Sequence, residues 1–199
     1  SCKQVNVLLD IGCGRGLLSR LIRNGPSYVG LDLSIVSLKA MRWLGWKWDM
    51  RVASCLPIMP FRTCSVDMII CTEVIEHLSY DAGRSAMQDI YRILKPMGYL
   101  ILSTPNGGSL SYRIRKFIGI EHPDPNPEHV ALYNWDTLLD LIQSIGFREI
   151  KREPFDIVME PTTPQASISM ILPAGLRQAL ARRLKILDQL LILNARKRE

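Results

Sequence analysis

Two groups of residues in this 199-residue chain have the types and spacing to do chemistry. Glu73, Glu76 and His77 stand at i, i+3 and i+4, so one helical turn would bring two carboxylates and an imidazole to the same face. Such a turn can take a proton from a substrate hydroxyl, with His77 as general base. It can instead hold a divalent cation; mixed carboxylate and imidazole donors suit Mn, Fe or Zn better than Mg. Or Glu76 and His77 can simply stabilise the turn and cap the next helix. The second group is Asp10-Ile11-Gly12-Cys13-Gly14-Arg15-Gly16, three glycines spaced by two. Without Cβ atoms, backbone can approach a ligand closely.

The elements that position this loop follow from the pattern around it. Val5, Val7, Leu8 and Leu9 read as a buried strand, and Leu17, Leu18, Leu21 and Ile22 take up helical spacing. A helix in that place turns free N–H groups toward a bound ligand. Asn24-Gly25-Pro26 stops it, and Tyr28 to Asp32 reads as a second strand ending in a carboxylate. Asp32 lies about 20 residues beyond the first glycine, where nucleotide-binding folds place an acid on ribose hydroxyls. Its alternative is capping the helix that starts at Ser34. A dinucleotide loop would need its third glycine where Leu17 stands, which weighs against a nicotinamide cofactor.

Taken together, Asp10–Gly16 and Gly30-Leu31-Asp32-Leu33-Ser34 resemble the cofactor motifs of class I S-adenosylmethionine-dependent methyltransferases. Met59-Pro60-Phe61, Val66-Asp67, Thr72 to Leu78, and Leu94 to Gly98 before Leu100 to Asn106 continue the resemblance in order, over about residues 5–147. It is strongest to the subgroup carrying E-x-x-E-H-L, whose members act on lipids, quinones, small metabolites and some RNAs. The resemblance implies a Rossmann-like α/β fold: a seven-stranded, mostly parallel sheet with an antiparallel strand near the C-terminus and helices on both faces.

It also implies that S-adenosylmethionine binds at the sheet's carboxyl edge and leaves as S-adenosylhomocysteine. Gly12 and Gly14 would admit the methionine moiety, with Asp10 and Cys13 as further cofactor-binding residues of the loop. Asp32 would anchor the ribose, and Leu33 and Leu56 would flank adenine, with Ser54 and Cys55 beside it. Thr72 would meet the methionine end. Glu73 and His77 are the expected catalytic pair. Similarity to small-RNA 2′-O-methyltransferases and some quinone O-methyltransferases would add His129 as a fourth metal ligand, although no metal is assigned. Family members place an Asp near Ser54 or Cys55 for the adenine amino group, and this chain has none.

Other elements are read directly. Ser34 should cap a helix through about Leu44, ending among Trp43, Trp46 and Trp48. Arg51 to Pro57 reads as a third strand and its loop, and Val66 to Thr72 as a central parallel strand. A helix is expected over Asp81 to Leu94, a strand over Tyr99 to Ser103, and a basic helix over Leu110 to Ile120. The loop His122 to His129 is a candidate substrate clamp. Asn134 should cap a helix through Ile145 with Trp135, Leu138, Leu139 and Ile142 inward, and Phe147 should open a strand toward Val158. Leu176, Leu180, Leu184 and Leu187 repeat at helical spacing; the resemblance, not the residues, implies that Leu190 to Ala195 is the antiparallel strand.

The length suits one domain, residues 1–199, with substrate-side segments at 107–133 and 159–185. Members of this class usually carry helices ahead of the first strand, whereas here the strand follows within a few residues of Ser1. Five cysteines without C-x-x-C spacing fit free thiols in a reducing cytoplasm, and no apolar run reaches membrane-spanning length. A net charge of +6 can hold phosphate of nucleic acid or lipid headgroups, or solvate helix faces. The tail repeat from Leu176 to Leu187, with arginines between its leucines, could lie on a membrane surface or contact a partner, with core packing as the default reading. The expectation is an S-adenosylmethionine-dependent O-methyltransferase of a small-molecule or lipid-like acceptor. The alternatives are a metal-assisted RNA 2′-O-methyltransferase and a non-catalytic S-adenosylmethionine-binding protein.

Overall fold

The computed structural model describes residues 5–20, 26–43, 49–52, 58–119, 126–153 and 190–198. Seven strands form one sheet: β1 (Val7–Ile11), β2 (Ser27–Asp32), β3 (Asp49–Val52), β4 (Val66–Thr72), β5 (Leu94–Pro105), β6 (Phe147–Glu153) and β7 (Leu190–Lys197). Their order is β3-β2-β1-β4-β5-β7-β6. The first five pair in parallel, whereas β7 runs antiparallel to both β5 and β6. Strand order reverses between β1 and β4, which opens a crevice at their carboxyl ends, where open α/β sheets take ligands.

Alternation along the strands divides the core into two faces. Leu9, Ile11, Val29, Leu31, Ile69 and Cys71 pack on one side with residues of α2 (Tyr80–Ile93) and α4 (Trp135–Ile145). Leu8, Tyr28 and Ile70 face the other side, with Leu38 of α1 (Ile35–Trp43). Helices therefore cover both faces, as expected.

Local chemistry sets the boundaries. Ser79 Oγ accepts the Ala82 N–H, so α2 starts at Tyr80, one residue earlier than Asp81. Asn134 and Thr137 form a reciprocal capping box, and Gly146, at φ +117°, ends α4. Leu141 joins Leu138 and Ile142 as a buried residue of α4, while Trp135 is only partly buried. β5 begins at Leu94, well before Tyr99, and crosses a register shift against β4. At Gly98 a Cβ would stand 2.8 Å from the Lys95 carbonyl oxygen, so the close turn within this segment requires glycine.

Two expectations change. After the glycine loop, Leu18–Arg20 is a 3-10 turn, closed by the Ser19 N–H on the Gly16 carbonyl. Leu17, just ahead of that turn, lies outside the inward stripe assumed for it and is 72% exposed. The third strand starts at Asp49 instead of Arg51 and ends, as described, at Val52. Leu21, Ile22, Asn24, Trp46, Trp48, the helical repeat from Leu176 to Leu187 and the extension of β6 to Val158 lie outside the described residues.

Candidate active site

The glycine loop is tied to the end of β2. The Leu31 carbonyl accepts the N–H of Gly12 at 2.8 Å and of Cys13 at 3.1 Å. One residue on, the Asp32 carboxylate accepts the Gly14 N–H at 2.8 Å through Oδ2 and the Ser34 N–H at 2.7 Å through Oδ1. The side-chain cap of α1 comes from Ser34, whose Oγ accepts the Ser37 N–H at 3.2 Å. Asp32 thus joins the loop to the start of α1 with its carboxylate half-exposed.

Gly12 and Gly14 differ in what surrounds them. Gly12, Gly14 and Gly16 all have positive φ. A Cβ on Gly12 would stand 2.3 Å from Val74 Cγ2, so here glycine serves packing against the next loop. A Cβ on Gly14 would meet no atom within 4 Å: above it is open space that a ligand can fill. Cys13 turns its side chain into the core beside Leu8, Tyr28 and Leu38, and its burial pushes the thiol up to about 12. The Cys13 side chain is thus a core residue of the loop, and its N–H is held by the Leu31 carbonyl.

Asp10 is 4% exposed and accepts a 2.5 Å hydrogen bond from the Tyr28 hydroxyl. Burial raises its pKa to about 6, the Tyr28 bond opposes this, and the Asp32 charge adds to it. A cation nearby would relieve the repulsion that the Asp32 charge exerts on Asp10.

Across the crevice, β4 ends at Thr72, which is exposed, and Glu73 takes φ +54°. Ile75–His77 is a 3-10 turn instead of an α-helical one. Ser103 Oγ donates to Glu73 Oε1 at 2.7 Å, and Thr104 Oγ1 to Glu76 Oε2 at 3.1 Å. Glu76 is fully buried, and among the described residues its Oε1 has no hydrogen-bond partner. Burial raises the pKa of both carboxyls, Glu73 included although it opens to solvent at the crevice mouth.

Residues 126–131 lie over this turn. The Glu76 carbonyl accepts the N–H groups of Val130 and Ala131 at 2.8 and 3.0 Å. His77 Nδ1 lies 3.2 Å from the Glu128 carbonyl oxygen, so it carries the proton and leaves Nε2 as the acceptor. Asn126 Oδ1 accepts the Glu128 N–H, which fixes its amide and makes Nδ2 the donor to His129 Nε2 at 2.9 Å. The two imidazoles meet edge to face at 5.0 Å. Glu76, His77 and His129 each offer a ligand atom within 4.8 Å of the others'. Glu73 is not in that group.

Residues 1–151 match the family described as "Methyltransferase domain". The chain belongs to that family. A probable S-adenosylmethionine-dependent methyltransferase of Mycolicibacterium smegmatis is 31% identical over 141 residues, 70% of this chain and 51% of that protein. A ubiquinone biosynthesis O-methyltransferase of Alkalilimnicola ehrlichii is 32% identical over 117 residues, 53% of this chain and 44% of its own length. The chain spans about half the length of these curated relatives. The fold agrees with the crystal structure of a SAM-dependent methyltransferase from Archaeoglobus fulgidus. Its TM-score is 0.69 at 21% identity, covering 97% of this chain and 86% of that one. The Rossmann-like methyltransferase fold and the class resemblance are thereby borne out.

In this methyltransferase domain Gly12 and Gly14 follow the carboxyl end of β1 and Asp32 closes β2. Thr72, Glu73 and His77 stand at and just beyond the end of the neighbouring β4, while Asp10 is buried against Tyr28. Leu33 is 63% exposed at its mouth. Ser54, Cys55 and Leu56, the expected adenine side, lie outside the described residues. Sequence reasoning missed Ser103, Thr104 and Tyr28, which hold the three acids. Ser103 and Thr104 sit inside a stretch that also reads as plain buried strand; two hydroxyls at its carboxyl end were the available signal.

Proposed function

We propose that this domain transfers a methyl group from S-adenosylmethionine to a hydroxyl or carboxyl oxygen of a small-molecule or lipid-like acceptor. The observation that carries the reading is the Asp32 bond to the Gly14 N–H, beside open space over Gly14 and opposite the Glu73–His77 turn. The donor set suits this cofactor. Asp32 is half-exposed and its oxygens keep lone pairs for a ribose beyond the Gly14 and Ser34 bonds, and the open space over Gly14 leaves room for the methionine chain.

When bound, the sulfonium supplies an electrophilic methyl with a neutral leaving group. The protein's own contribution is to hold an acceptor oxygen in reach and to remove its proton. His77 is the base: its Nδ1–H is fixed on the Glu128 carbonyl and its Nε2 lone pair is available. Glu73, positioned by Ser103, orients the acceptor at the crevice mouth. The name of the Alkalilimnicola ehrlichii relative supports an oxygen acceptor. Cys13, Cys64 and Cys71 are free thiols, which supports a cytoplasmic setting; among the described residues, no helix is long and apolar enough to cross a membrane. Incubating the protein with S-adenosylmethionine and a panel of phenols, carboxylic acids and lipid-like alcohols tests the reading. Acceptor-dependent release of S-adenosylhomocysteine is expected; no release with any acceptor class counts against it.

A second reading rests on the Glu76–His77–His129 group, whose buried and unpartnered Glu76 Oε1 suits a divalent cation. The cation would then hold the acceptor oxygen and favour its ionised form, and the acceptor could be an RNA 2′-hydroxyl. RNA binding that falls steeply with salt supports it; a flat salt profile excludes it.

A further inference from the structure

We infer that α3 (Leu110–Phe117) docks this domain on an anionic lipid surface, with its apolar stripe in the bilayer interface and its arginines at the headgroups. The helix follows β5 after a four-residue connection, in which the Gly107 N–H donates to the Tyr133 carbonyl at 2.8 Å. β5 is the strand whose Ser103 and Thr104 hold the two glutamates, so α3 stands at the carboxyl edge of the sheet beside the site.

The side chains of α3 are sorted by polarity, and among the described residues its apolar side is uncovered. Leu110 is 40% exposed, Ile114 50%, Phe117 91%, and Ile118 at the C-cap 64%. At about 100° per residue these four fall within an arc of roughly 100°. Arg113 and Arg115 lie roughly 40° and 60° outside its two edges, and Lys116 is on the far side. The helix carries no acidic residue, and none of the three bases forms an ion pair among the described residues.

A convex apolar ridge between two long cationic side chains matches an interfacial helix, whose bases snorkel to lipid phosphates while the ridge enters the acyl boundary. The same ridge has no use on a nucleic-acid backbone, where phosphate contacts dominate. Pairing with a second copy about a twofold axis would set Arg113 and Arg115 against like charges. Charge complementarity therefore selects the anionic bilayer. That docking brings a lipid-like acceptor to the crevice rests on the proposed methyl transfer; the docking itself does not.

Flotation of the full chain with vesicles of phosphatidylcholine, alone or with one-third phosphatidylglycerol, tests the inference. At least tenfold stronger partition on the anionic vesicles is expected, weakening with salt. Phe117→Glu should lower that partition at least tenfold. Arg113→Gln with Arg115→Gln should do the same on anionic vesicles, and both variants should keep the parent's melting temperature. No vesicle binding by the parent overturns the inference, as does equal partition of parent and variants. A change of oligomeric state in Phe117→Glu also overturns it, by assigning the ridge to a second copy. Calorimetry with S-adenosylmethionine is read separately, so loss of the cofactor reading leaves the vesicle result standing.

Discussion

Ser103 Oγ donates to Glu73 Oε1 at 2.7 Å, from the strand neighbouring the one that delivers Glu73. The glutamate needs such a hold, because its φ of +54° is a conformation that L-residues adopt at a cost of about 1–2 kcal/mol. Ser103 is thus a positioning residue for the proposed reaction.

Ser103→Ala should lower kcat about tenfold, equivalent to about 1.4 kcal/mol of transition-state stabilisation, while the affinity for S-adenosylmethionine stays within about twofold. Release of S-adenosylhomocysteine and calorimetry read the two quantities separately. Unchanged kcat would show that Glu73 works without this bond.

The loop glycines should separate stability from binding. Gly12→Ala places a methyl 2.3 Å from Val74 Cγ2 at φ +74°, and should cost about 2–4 kcal/mol in urea denaturation. Adding Val74→Ala should recover part of that loss. Gly14→Ala meets no neighbouring atom, so it should cost only about 1 kcal/mol of stability yet weaken cofactor binding more than tenfold. Equal effects of the two alanines on binding would contradict this division.

Asp10 should leave a pH signature on stability. Its pKa rises from 3.8 unfolded to about 6 folded, chiefly through burial. The folded state therefore holds the proton more tightly. Stability is greatest below the unfolded value, declines as pH rises from about 4 to 6, and levels off above that. The integrated effect is about 3 kcal/mol. Asp10→Asn keeps an acceptor for Tyr28 and should remove this decline. The difference between variant and parent should grow across that window; a difference constant from pH 4 to 7 would contradict the assignment.

The parts of the molecule legible in the sequence were those whose cause is local. The apolar runs at Val7–Ile11 and Val66–Thr72, the carboxylate ending β2 and the Asn134 cap each follow from neighbours in the chain. The antiparallel β7 came from family resemblance. Partners from distant segments were not legible. The Tyr28 bond to Asp10 spans 18 residues, and the Ser103 bond to Glu73 spans 30. The acid–histidine turn shows the limit most plainly. The i, i+3, i+4 spacing suggested an α-helical face, but the chain forms a 3-10 turn, and His129 is brought to it by the Val130 and Ala131 bonds to the Glu76 carbonyl.

Chelation separates the two readings of that turn. With His77 as a simple base, turnover in EDTA should equal turnover without it, and His129→Ala should cost little. A cation at Glu76, His77 and His129 instead predicts loss of turnover in EDTA, restored by added Mn or Zn.

The central claim is that the glycine loop, held by Asp32, receives S-adenosylmethionine. Calorimetric titration of the parent and of Asp32→Ala with that compound tests it most directly. The expected result is saturable binding at one site, at least tenfold weaker in Asp32→Ala, a loss of about 1.4 kcal/mol or more. Absence of binding by the parent, equal affinity of the two proteins, or preference for a nicotinamide dinucleotide would contradict it.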